Sequence, residues 1–115
     1  MIKKVLMTSD GKKVVVNRDK DICLYRAPCN PPNTGLAYTR GADLYMHIAR
    51  SKNKYFYLYH WSLHQNESSY YELIDEERAQ RFFLEKLGGT YWVHPTEREI
   101  EKMQETFPEL LEETA

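Results

Sequence analysis

The hydrophobic period changes once along this chain, near Asp75, and that change limits the folds open to it. Before it apolar residues alternate, as in strands; after it they recur at three and four, as in helices. "IKKVLMTSDGKKVVVNRD" reads as a hairpin over residues 2–16, with Asp10-Gly11 expected to form a two-residue type I′ turn. A reversal at "NRDKD" leads to a third strand, "ICLYRA", with Ile22 and Leu24 facing one way and Cys23 and Tyr25 the other. A second hairpin over 43–61 joins "DLYMHIAR" to "KYFYLYHW" through Ser51-Lys52-Asn53-Lys54, and "SSYYELI" supplies a short sixth strand. Between them the Pro/Asn-rich connection from about Ala27 to Arg40, which holds Cys29, is long enough to suggest function or mobility.

The first helix is expected at about 75–87. Asp75 is its N-cap, Glu76 and Glu77 sit at its positive end, and Gly88 follows its last turn. Ala79, Phe82, Phe83 and Leu87 form its apolar face. The second helix, about 96–113, opens with the capping box Thr96/Glu99 and is lined by Ile100, Met103 and Phe107. Pro108 bends or ends it, with Leu110 and Leu111 in a short final turn. Strands first and helices last define an α+β fold: one antiparallel sheet of five to six strands with both helices on one face. At 115 residues this is a single domain.

A net charge of −1 conceals a division. Residues 1–54 carry eleven Lys/Arg against four Asp/Glu, and residues 55–115 carry five against thirteen. Such asymmetry points to polyanion contact or, more simply, to differently solvated faces. No apolar run resembles a signal peptide or a membrane span, so the expectation is a cytoplasmic protein without membrane contact, with Cys23 and Cys29 as reduced thiols.

Residues 54–65, "KYFYLYHWSLHQ", carry the most unusual pattern. Odd positions are Tyr55, Tyr57, Tyr59, Trp61 and Leu63; even positions are Phe56, Leu58, His60, Ser62 and His64. Phe56 and Leu58 have no polar atom to satisfy and are assigned to the helix side. The tyrosine row is then either an aromatic core wall whose phenols reach the rim, or an open platform for stacking bases. Register separates the two. A tight Ser51–Lys54 turn places Arg50 opposite Tyr55, Ile48 opposite Tyr57 and Met46 opposite Tyr59, which favours core. A loop one residue longer brings Tyr45, His47 and Ala49 beside the tyrosines.

Two function classes follow. In the first, the chain binds single-stranded nucleic acid. Lys3, Lys4, Lys12, Lys13, Arg40, Arg50, Lys52 and Lys54 meet phosphates, while Tyr55, Tyr57, Tyr59 and Trp61 stack on bases. In the second, the same tyrosine-rich sheet and an exposed edge mediate binding to a protein partner or homodimerisation. A small metal-free nuclease using His60, His64 and Arg50 ranks third. His60 and His64 lie about 13 Å apart on an extended strand at about 3.3 Å per residue, too far to share a zinc. A metal-binding, nucleotide-binding or nucleophile motif is not found, so no catalytic residue, metal ligand or cofactor is assigned.

Overall fold

The computed structural model describes residues 3–29, 39–64, 66–89 and 93–110. Strands β1 (Lys3–Met7), β2 (Lys13–Asn17), β3 (Ile22–Tyr25), β4 (Arg40–Ile48), β5 (Lys54–Ser62) and β6 (Tyr70–Ile74) precede helices α1 (Glu76–Leu87) and α2 (Glu97–Thr106). The class is α+β, as the period change requires. The strands do not form one sheet, however. β3-β4-β5-β6 make an antiparallel meander, and β1–β2 form a separate two-stranded ribbon.

Side-chain alternation explains the separation. Leu44, Met46, Phe56 and Leu58 on one face of the meander pack with Ala79 and Phe83 of α1 and Met103 of α2. Tyr45 and Tyr57 point to the other face and pack against Leu6, Val14 and Val16 of the ribbon. Both faces of the meander carry apolar surface, so both must be covered. The ribbon supplies the second cover, and the molecule has three layers: ribbon, sheet, helices.

The local chemistry sets the details. The β1–β2 turn is longer than the two-residue type I′ turn expected. Gly11 has φ +87°, Asp10 does not have a positive φ, and the Gly11 N–H bonds the Thr8 carbonyl at 3.0 Å. The Thr8 hydroxyl donates to the Asp10 carboxylate and accepts the Lys12 N–H at 2.9 Å, closing the loop from inside. In β3 a bulge between Cys23 and Tyr25 puts Tyr25 opposite Leu44, so Tyr25 joins Leu24 in the helix-side core instead of sharing a face with Cys23. There its ring meets Phe82 and Phe83 edge-on, and its hydroxyl donates to the Val93 carbonyl at 2.6 Å.

Asp75 caps α1 by accepting the Arg78 N–H at 2.7 Å. Thr96 and Glu99 form the capping box of α2, and the same Glu99 accepts the Arg26 N–H at 2.7 Å, fixing the helix to β3. α2 ends at Thr106, short of 113. Phe107 is non-helical, as the residue before a proline tends to be. Leu111 and the remainder of that expected span lie outside the described residues. Among the described residues no helix is long and apolar enough to cross a membrane.

Candidate site on the ribbon side of the sheet

The β4–β5 register decides what the tyrosine row can do. His47 faces Tyr55, Tyr45 faces Tyr57, Asp43 faces Tyr59 and Gly41 faces Trp61. The tight-turn register, with Arg50 opposite Tyr55, is therefore not formed. The reversal occupies residues 49–53, closed by Ala49 N–H to Asn53 O and Lys52 N–H to Ala49 O, with Lys52 at φ +69°. Arg50 and Lys52 sit in that loop. Lys54 has the parity of Phe56, opposite to the tyrosines.

Tyr57 is 0 % exposed. Its ring stacks on Tyr45 with centroids 5.3 Å apart, and its hydroxyl donates to Asp21 Oδ2 at 2.6 Å. Burial first, then this hydrogen bond, pushes the Tyr57 phenol far above its ordinary range. Tyr57 thus belongs to a core wall and offers no ring face to a base. It divides the row into two ends, each opening into a cleft.

At the first end, Tyr55 lines an open cleft of about 780 Å³ with Lys12, Lys13, His47 and Arg50. The His47 ring is held from behind: its Nδ1 lies 2.8 Å from Asp21 Oδ1. The Asp21 side chain is only 7 % exposed and also accepts the Asn17 N–H at 2.8 Å. Asp21 therefore ties β2, β4 and β5 together.

At the second end, Tyr59 and Trp61 line a cleft of about 390 Å³ with Arg18, Arg26, Asp43 and Cys29. The Arg18 guanidinium lies 3.6 Å from the Tyr59 ring centroid, and its Nε–H donates to the Tyr71 hydroxyl at 2.8 Å. Asp43, buried, accepts the Ala27 N–H at 2.8 Å and the Trp61 indole N–H at 3.1 Å. Gly41 makes room for that indole, since a Cβ there would meet Trp61 at 2.7 Å and Ala27 at 2.8 Å. Among the described residues neither Arg18 nor Arg26 has a carboxylate within ion-pair distance. Burial pushes the neighbouring Cys23 thiol above its ordinary range, which disfavours the reactive thiolate.

The three residues of the nuclease reading are not brought together. His60 lies on the helix side, its Nε2 2.9 Å from Glu72 and its ring stacked on Tyr70. His64 bonds Thr39 at 2.9 Å, and Arg50 is at the opposite end of β5. Arg40 beside them is already neutralised by Glu67 through bonds of 2.7 and 2.5 Å. The Arg40 guanidinium, then the Ser62 hydroxyl, hold the Glu67 carboxyl down to about 2. A lowered carboxylate keeps its pairing above that pKa and loses it as pH falls through it. In Arg40→Ala the Glu67 side-chain carbonyl resonance is accordingly expected to titrate higher, part of the way back toward the ordinary value of about 4.3 because the Ser62 hydroxyl remains, measured by carbon NMR between acid and neutral pH. An unchanged midpoint would mean that Arg40 does not set it.

Arg18, Arg26, Asp21 and Asp43 were not singled out by sequence. Asp43 left one signal: it is the single carboxylate of its strand, set directly before the apolar Leu44, and there it needs a buried partner. No family model matches this chain, and no curated protein or solved structure matches it either.

Proposed function

We propose that this chain is a binding module for single-stranded nucleic acid, engaged on the ribbon side of the sheet. One observation carries the proposal: Arg18 and Arg26, with no carboxylate within ion-pair distance among the described residues, line one cleft with Tyr59, Trp61 and Asp43, whose carboxylate is engaged by the Ala27 N–H and the Trp61 indole. A cation with no carboxylate at ion-pair distance, beside an aromatic wall, suits a phosphate and the base attached to it. The charge division supports the same side. Residues 3–21, the ribbon and the turn after it, hold six Lys/Arg against three Asp, whereas residues 75–110, the helical layer, hold five Lys/Arg against nine Asp/Glu. Phosphates meet Lys12, Lys13 and Arg50 at the first cleft, with Tyr55 as its aromatic wall. Trp61 stacks a base at the second, next to the Tyr59 ring that Arg18 covers, and Tyr57 supports both from the core.

Titrating the protein with a single-stranded oligonucleotide of about twelve nucleotides at low and moderate salt tests this. Tryptophan quenching is expected, weakening as salt rises because bound phosphates release counterions. The quench should be lost in Trp61→Phe and kept in Trp92→Phe, whose residue lies outside the described ones. In the Arg18→Ala/Arg26→Ala double variant affinity should fall about tenfold, and the slope of log affinity against log salt should flatten by about 1.4, at about 0.7 for each phosphate no longer neutralised. Binding absent at low salt, or indifferent to salt, removes the proposal.

A second reading has its own observation. The outer face of the ribbon exposes Val5 (54 %), Met7 (61 %) and Val15 (49 %) side by side. A second copy docking there would bury them. It would appear in sedimentation as a doubled mass that salt does not reverse and that Val15→Lys abolishes.

A further inference from the structure

His47 takes no part in the stacking or phosphate contacts above, yet it is the best-oriented titratable side chain of the ribbon side. The Asp21 carboxylate already accepts the Asn17 N–H and the Tyr57 O–H, and toward His47 it can only accept again. Nδ1 therefore carries the ring proton and Nε2 is left as the basic nitrogen, with no hydrogen-bond partner among the described residues. The ring lines the first cleft together with Lys12, Lys13 and Arg50. Within ion-pair distance these three cations have one carboxylate among the described residues, Asp10, which is 3.9 Å from Lys12. An imidazole oriented by a buried carboxylate, facing a cleft lined by three cations, has the components of acid–base chemistry on a phosphodiester.

We propose that the first cleft cleaves single-stranded RNA without a metal ion, with His47 as general base. This deepens the proposed function and rests on it. His47 Nε2 takes the proton of a ribose 2′-hydroxyl, and the 2′ oxygen attacks the adjacent phosphorus. The bond from phosphorus to the 5′ oxygen breaks, and that oxygen takes its proton from the ammonium of Lys12 or Lys13. Arg50 holds the charge gathering on the non-bridging oxygens. The products are a 2′,3′-cyclic phosphate and a free 5′-hydroxyl, and the proton on His47 returns to the lysine through water. Bonds and charges balance with no oxidant, reductant or further reactant. Asp21 acts through His47 and is a positioning residue.

The test uses the full chain, an excess of EDTA, and two end-labelled oligonucleotides of one sequence, RNA and DNA, with binding followed by anisotropy in the same samples. Expected are binding of both, cleavage of RNA alone, and cyclic phosphate ends. His47→Gln should cleave at least about 100-fold more slowly even when the protein is in saturating excess over the RNA, so that a change in affinity does not enter the rate. In Asp21→Asn kcat per folded molecule, with the folded fraction measured by circular dichroism, should fall and its pH profile should shift, changes that a smaller folded population does not give. Should either variant fold poorly, an RNA carrying a single 2′-deoxy residue at the cleaved step tests the same chemistry on the unaltered protein, and it must resist cleavage there. Binding without cleavage overturns this inference and leaves the binding module standing; absence of binding overturns both. Cleavage that His47→Gln does not slow, or that attacks the DNA equally, overturns the assignment of His47.

Discussion

Tyr57→Ala is expected to destabilise the protein by about 3–5 kcal/mol, the usual cost of deleting a fully buried aromatic ring, measured as a drop in the midpoint of urea unfolding at constant slope. The ring is sandwiched, with Tyr45 stacked at 5.3 Å, Tyr71 at 5.9 Å, and the ribbon side chains Leu6, Val14 and Val16 closing over that face of the sheet. Deleting it opens a cavity between the ribbon and the sheet. Tyr57→Phe keeps the ring and loses one hydrogen bond to a carboxylate, worth about 2 kcal/mol; Asp21 retains the Asn17 N–H and His47. A small domain has about 5–15 kcal/mol in all, so the alanine variant should be marginal and the phenylalanine variant folded. Tyr59→Ala, at the half-buried end of the row, should cost less than Tyr57→Ala. If all three tyrosine variants were as stable as the parent, the row would be an open platform and the ribbon would not cover it. A strong loss in Tyr57→Ala alone fits a core wall with usable ends.

Much of the architecture was legible because it follows from local rules. The change of period at Asp75, the Asp75 cap, the Thr96/Glu99 capping box and the stop before Pro108 each depend on a few adjacent residues. The assignment of Phe56 and Leu58 to the helix side also follows from their lack of polar atoms, and both lie in that core. What was not legible depends on backbone geometry that residue types do not announce. The β4–β5 register turns on Lys52 adopting φ +69°, a conformation lysine seldom signals. The β3 bulge rotates Tyr25 away from Cys23 with no glycine to mark it. That the ribbon would fold over the sheet, and not extend it, depends on Leu6, Val14 and Val16 finding Tyr45 and Tyr57, contacts distant in sequence.

The candidate site shows the same limit more sharply. Tyr55, Tyr59, Trp61 and Arg50 were legible by composition, and all four line clefts. Lys52 and Lys54 were grouped with them by proximity in sequence, yet one sits in the reversal and the other has the opposite parity. Arg18 and Arg26 come from a turn and a strand end that only the fold brings to the aromatic row. Asp21 looked like a turn residue and is the buried anchor of His47. Charge and aromatic content are readable one residue at a time, but a site is a set of distances.

The three layers make one last contrast testable, because stability and binding should separate between them. Phe83 of α1 is 0 % exposed, meets Tyr25 edge-on at 6.3 Å and shares its core with Leu24, Leu44 and Met103. Phe83→Ala is expected to cost about 3–5 kcal/mol, whereas Leu84→Ala, whose parent side chain is 44 % exposed, should stay within about 0.5 kcal/mol. Neither residue lines the ribbon-side clefts. Phe83→Ala, measured well below its lowered midpoint, should therefore bind an oligonucleotide with unchanged affinity and salt slope. A Phe83 variant that loses affinity while still folded would mean that the helical layer belongs to the binding surface. That outcome would argue against a ribbon-side site even if the Tyr57 variants behave as expected, since Phe83 belongs to the helix-side core and lines neither cleft.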